Sequence, residues 1–88
     1  MFEDFYWEVE KKETKSGLLL YEQHKLLTKQ DDIIAAFIVK DVSDNFYKLT
    51  VYSAAWKLFP DYESCEEDLD VAKFKAQLKS KEFYTNNI

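Results

Sequence analysis

The sequence predicts a small α+β domain in which an antiparallel sheet of about three strands carries two helices, in the order β-β-α-β-α. Three observations carry this expectation. Apolar residues alternate with polar ones near the start of the chain, as in a half-buried strand. Two later segments combine helix-start signals with apolar residues at helical spacing. Between them lies a run rich in aromatic and β-branched residues. With 88 residues there is room for one core, so residues 1–88 are read as a single domain.

The elements follow in order. Phe5, Trp7 and Val9 alternate with Tyr6, Glu8 and Glu10, which gives the first strand. Lys15-Ser16-Gly17 contains the only glycine of the chain, placed where a hairpin turn needs a positive φ. The second strand then covers residues 18–26, with Leu18, Leu20 and Leu26 as candidates for one face. Thr28-Lys29-Gln30-Asp31 fits a capping box, and Ile34, Phe37 and Ile38 follow at helical spacing. Residues 33–39 are apolar throughout, so a buried strand is the competing reading. The start signal and the Ala35-Ala36 pair favour the helix.

Ser43, Asp44 and Asn45 break that element, and FYKLTVYS at 46–53 reads as the third strand. Residues 54–59 either extend it or turn before Pro60. Val71, Phe74 and Leu78 share one face of a helix over 71–83; Phe74, Ala76 and Leu78 also alternate, which leaves a strand as the lesser reading. Residues 85–88 are expected to fray. Trp7, Val9, Leu20, Phe37, Leu49, Val51, Phe74 and Leu78 are the expected core.

Composition narrows the function. All twelve basic residues are lysine and the net charge is −5. Without the arginine fork that reads guanine and clamps phosphate, direct nucleic-acid binding is not expected. One histidine and one cysteine, His24 and Cys65, are too few for an ordinary metal site. A Cys65–His24 nucleophile has no sequence signal that brings its members together. A single glycine rules out a glycine-rich phosphate loop, and residues 61–70 lack the glycine of a calcium loop, with Glu66 at the sixth place. No cofactor and no catalysis are expected. The lone thiol, the acidic start MFEDFYWEVE and the lack of a long apolar run point to a cytoplasmic protein that does not span a membrane.

The charge is concentrated. Residues 1–60 have a net charge of −2, residues 61–70 of −6 and residues 71–88 of +3. Part of this is helix chemistry: Ser64 and Glu67 form a second capping box, and acids followed by lysines match the helix dipole. Asp61 and Glu63 lie before that cap and need another explanation. A contact ridge supplies one. Phe59 and Tyr62 would anchor it, ringed by Asp61, Glu63, Glu66, Glu67 and Asp70, and it would meet a basic protein surface. Fifteen aromatic residues in so small a domain also raise the prospect of an apolar patch covered in a homodimer.

The order hairpin, helix, strand, with Tyr21-Glu22-Gln23-His24-Lys25 closing the second strand before a Thr28-capped acidic helix, resembles the small phage-encoded uracil-DNA glycosylase inhibitors. The resemblance covers residues 7–53. It implies a DNA-mimicking inhibitor that occupies the basic surface of a nucleic-acid enzyme, and no residue role is carried over from it. Anti-CRISPR proteins share the small size and acidic charge. The alternative expectation is a structural or regulatory interaction domain.

Overall fold

The computed structural model describes residues 4–41, 43 and 45–85. It corrects the expected fold class. The chain forms five strands and one helix: β1 Phe5–Glu13, β2 Leu19–Thr28, β3 Ile34–Asp41, β4 Tyr47–Val51, β5 Tyr62–Glu66 and α1 Leu69–Thr85. The strands make one antiparallel sheet in the order β1-β2-β3-β4-β5, so each pairs with its neighbour in sequence. Of residues 85–88, expected to fray, Thr85 instead closes α1, and 86–88, like Asp44 and the first three residues of the acidic start, lie outside the described residues.

The main correction is β3. Residues 34–41 are a central strand, not a helix, because their apolar residues serve both faces of the sheet. Ala36 and Ile38 are fully buried on one face, while Phe37 and Val39 are half-buried on the other. What resembled a capping box at Thr28 is turn chemistry. The Thr28 hydroxyl accepts a hydrogen bond from the Ile33 amide, and Asp32 sits at φ 54°, a left-handed position that Asp tolerates. The second correction is β5, a strand drawn from the acidic stretch itself. The β1–β2 turn behaves as expected, with Gly17 at φ 88°.

The register sorts the side chains into two faces. One row runs Trp7, Leu26, Ala36, Val51, Tyr62 and the next runs Val9, His24, Ile38, Leu49, Ser64. This face carries the core, and α1 covers it. Leu26, Ile38, Leu49 and Val51 are fully buried there, each stabilising the fold by about 1.5–3 kcal/mol. The opposite face carries Glu8, Lys25, Phe37, Thr50 and Glu63 in one row and Glu10, Gln23, Val39, Lys48 and Cys65 in another. No helix covers it.

The helix packs on the core with small residues at the middle of its inner stripe and with Leu69, Phe83 and Tyr84 toward its ends. Ala72, Ala76 and Ser80, four apart, have no exposed surface. Val71, Phe74 and Leu78, the stripe expected in the core, turn outward and are 41%, 56% and 42% exposed. Val9 is 53% exposed, a further departure from the expected core, because α1 does not reach over the far half of β1. Lysines flank the buried stripe: Lys73 lies 5.4 Å from the Trp7 ring centre, Lys79 lies 5.0 Å from that of Tyr62, and Lys75 pairs with Glu66 at 2.7 Å. The cap also differs from expectation. Asp68, not Ser64, starts the helix: its carboxylate accepts the Asp70 amide at 2.9 Å and its carbonyl accepts the Ala72 amide. Ser64 lies inside β5 and donates to Glu66. Among the described residues, no helix is long and apolar enough to cross a membrane.

Candidate contact surface

Residues 52–61 connect β4 to β5 and contain the most exposed large apolar side chains described. Trp56, Leu58 and Phe59 are 76%, 86% and 78% exposed. The two rings alone leave roughly 300 Å² of aromatic surface in water, from the 150–250 Å² an aromatic side chain presents. That is already the size of the largest apolar patch on many monomers, at about 300–600 Å².

This loop is closed at its base. The Asp61 amide donates to the Val51 carbonyl at 2.8 Å, and the Asp61 carboxylate accepts from the Ser53 amide at 2.7 Å. Lys57 bridges the interior, 3.2 Å from the other carboxylate oxygen of Asp61 and 5.2 Å from the Trp56 ring centre. The Ser53 amide, reinforced by Lys57, holds the Asp61 carboxyl below the usual aspartate range. The loop is therefore a fixed display of apolar side chains, which lowers the ordering cost of binding.

The sheet topology sets its surroundings. The β2–β3 turn, the start of β1 and the β4–β5 loop all leave the same end of the sheet. Asp4, Asp31, Asp32 and Asp61 lie at that end against Lys29 and Lys57, so the apolar tip sits in an acidic field.

The residues proposed for an acidic ridge are dispersed. Asp61 is at the loop base. Tyr62 and Glu66 face the helix, where Lys79 covers the Tyr62 ring. Lys75, with help from Ser64, holds the Glu66 carboxyl below its ordinary range, and Glu66 in turn raises the Lys75 amine. Glu63 is exposed on the opposite, uncovered face. Glu67 and Asp70 are exposed where α1 begins, about 17 Å along the strand from Asp61. Phe59 alone of the set joins Trp56 and Leu58. Those two partners were not singled out from sequence. The run Ala54-Ala55-Trp56-Lys57-Leu58-Phe59 has no clear period, and its signal was the concentration of large apolar residues just before Pro60.

His24 and Cys65 lie on opposite faces of the sheet. His24 is buried under the helix side with Nε2 3.0 Å from Glu22, while Cys65 is exposed on the uncovered side. The two cannot act as a pair. Among the described residues no group of three His, Cys, Asp or Glu is placed to hold a metal. No protein-family model matches the chain, and no curated protein or solved structure matches it.

Proposed function

We propose that this chain is a protein-binding module that engages its target through the β4–β5 loop. The observation that carries this reading is the exposure of Trp56, Leu58 and Phe59 on a loop tied at its base by Asp61. Large aromatic side chains are the usual anchors of protein interfaces, and a preformed loop binds at lower entropic cost. The acids at the same end of the sheet favour a target with an apolar cleft rimmed by basic groups. An inhibitor that occupies the basic surface of a nucleic-acid enzyme is one protein of that kind. The same acids disfavour an anionic lipid surface, which repels them.

The test is affinity capture from a lysate of the source organism at low and high salt. Three forms are compared: the native chain, Trp56→Ser/Leu58→Ser/Phe59→Ser, and Glu63→Gln/Glu67→Gln/Asp70→Asn. The loop variant loses one identified target at both salt concentrations, and the acid variant keeps it at high salt, where charge is screened. A target kept by the loop variant and lost by the acid variant would move the contact to the acidic residues. Native chain that sediments with anionic vesicles and captures no protein would replace the protein target with a membrane.

A further inference from the structure

We infer that the free edge of β1 takes up an extended segment of a partner protein in which apolar residues alternate with basic ones. The inference rests on backbone groups of the first strand and is independent of the β4–β5 loop. The Lys29 amide donates to the Asp4 carbonyl at 2.9 Å, and this pair continues the register of β1 on β2. In an antiparallel ladder the amide and carbonyl of one residue point to the same side, and those of the next residue point to the other. Tyr6, Glu8, Glu10 and Lys12 therefore bond to β2, as Asp4 does. Trp7, Val9 and Lys11 direct their amides and carbonyls away from the sheet. Among the described residues no other strand pairs with that side.

Open edges are ordinarily blunted by proline, a bulge, a short strand or a covering element. β1 has nine residues and no proline, and its one irregularity lies at its end, between Lys12 and Glu13. Val9 is 53% exposed, beyond the reach of α1. What guards this strand is charge, and the charge selects the occupant. Residues of an incoming strand opposite Trp7 and Val9 project on the helix side and meet the exposed Val9 side chain, which favours apolar ones. Residues opposite Glu8 and Glu10 project on the uncovered face. Both acids are exposed there, and Lys25 reaches Glu10 only at 3.9 Å. Basic residues are favoured at those places.

The same acids disfavour a second copy as the occupant. The outward-bonding residues alternate, so the antiparallel registers of β1 on another β1 that pair most of the strand are centred on Glu8, Val9 or Glu10. They set Glu8 against Glu8, Glu8 against Glu10 and Glu10 against Glu10. Like charges directly opposite destabilise a strand pair. A foreign segment with bases at alternate positions turns that repulsion into attraction. Main-chain bonds to Trp7, Val9 and Lys11 then supply affinity, and the alternate side chains supply selectivity.

The test titrates the isotope-labelled chain with the capped peptide Ac-Lys-Val-Lys-Val-Lys-Val-Lys-NH2 and with its counterpart in which glutamate replaces each lysine. Amide exchange, followed by NMR, slows at Trp7 and Val9 with the lysine peptide and is unchanged at Glu8 and Glu10, which are already bonded to β2. The glutamate peptide binds at least ~10-fold more weakly, and Glu8→Lys/Glu10→Lys reverses the preference. Val9→Pro weakens the lysine peptide at least ~10-fold, because proline removes an outward donor at a place where an edge strand tolerates it. Circular dichroism shows that each variant is folded, and the charge exchange alone decides if Val9→Pro is not. The loop variant Trp56→Ser/Leu58→Ser/Phe59→Ser binds the lysine peptide like the native chain. Unchanged exchange at Trp7 and Val9 up to millimolar peptide would overturn the inference. So would protection confined to β5, equal binding of the two peptides, or a preference unaltered by Glu8→Lys/Glu10→Lys. Protection of Trp7 and Val9 that rises with chain concentration alone would replace the foreign segment with a second copy.

Discussion

The Asp61 carboxylate accepts a hydrogen bond from the amide of Ser53, eight residues earlier, at 2.7 Å. Its sequence neighbour Glu63, two residues away, points from the uncovered face of the sheet. The two acids therefore separate sharply in role. Asp61→Ala is expected to speed hydrogen exchange at Ser53 and open residues 52–61 to trypsin at Lys57, while Glu63→Gln changes neither. The sign with pH follows from the lowered Asp61 pKa. Its contribution is present above the ordinary aspartate value of 3.8 and is lost as pH falls through the lower value of the folded chain. The Ser53 amide resonance, followed by NMR during acid titration, should move with a midpoint below 3.8.

Ala76 has no exposed surface beneath the helix, and Leu78 on the same helix is 42% exposed. Ala76→Leu should destabilise the monomer by about 1–3 kcal/mol, because extra methylenes have no space between α1 and β4. Leu78→Ala, in dilute solution, should stay within ~0.5 kcal/mol. Denaturant unfolding at low concentration distinguishes the two. A reversed ranking would mean that the helix lies with its other face inward.

The cap gives a second contrast. Asp68→Ala should cost about 1 kcal/mol, since it removes the acceptor for the Asp70 amide. Ser64→Ala should leave the first turn of α1 intact and loosen only the bond to Glu66. Amide exchange at Asp70 is the readout that separates them.

Much of the fold is legible in the sequence where one face of an element is dry and the other wet. The alternation from Phe5 to Val9, the glycine at 17 and the aromatic run around Leu49 gave strands β1, β2 and β4 and the turn between the first two. Legibility ends where that asymmetry is missing. Residues 33–39 have no polar side because β3 is central in the sheet, so Ala35-Ala36 and a chance Thr-x-x-Asp favoured a helix. In β5, Tyr62, Ser64 and Glu66 face the helix, and the charge on Glu66 masks the inward side. The helix itself was found and its orientation was not, since hydrophobic size pointed to Phe74 and Leu78 while close packing used Ala72 and Ala76. The contact residues fared similarly. Phe59 was named, but six clustered carboxylates drew the reading toward an acidic ridge and away from Trp56 and Leu58.

Tyr6 donates its hydroxyl to Asp32 at 2.7 Å, from β1 across to the β2–β3 turn. That hydrogen bond, with smaller effects of burial and of the Asp32 and Glu8 charges, pushes the phenol up to about 12. A raised pKa favours the neutral phenol in the folded chain. The contribution is complete below about pH 10 and disappears as pH rises toward 12. Asp32→Asn, which still tolerates the left-handed backbone there, should bring the Tyr6 midpoint down toward the ordinary tyrosine value. Site-resolved NMR of the Tyr6 ring at alkaline pH measures it.

The strand order repeats the chain order, and this has a kinetic consequence. Each pairing within the sheet closes only a short length of chain, so the entropic cost of each closure is small and the sheet can zip hairpin by hairpin. One contact that joins the two ends of the described fold is edge-to-face packing of Phe5 on Tyr84, with ring centres 6.3 Å apart. It closes the longest loop and belongs late in assembly. Substitutions at the turns, at Gly17 or Asp32, should slow folding, whereas loss of the Phe5 or Tyr84 ring should chiefly hasten unfolding. The resistance of the native chain to opening then resides in a contact that its folding transition state has yet to form.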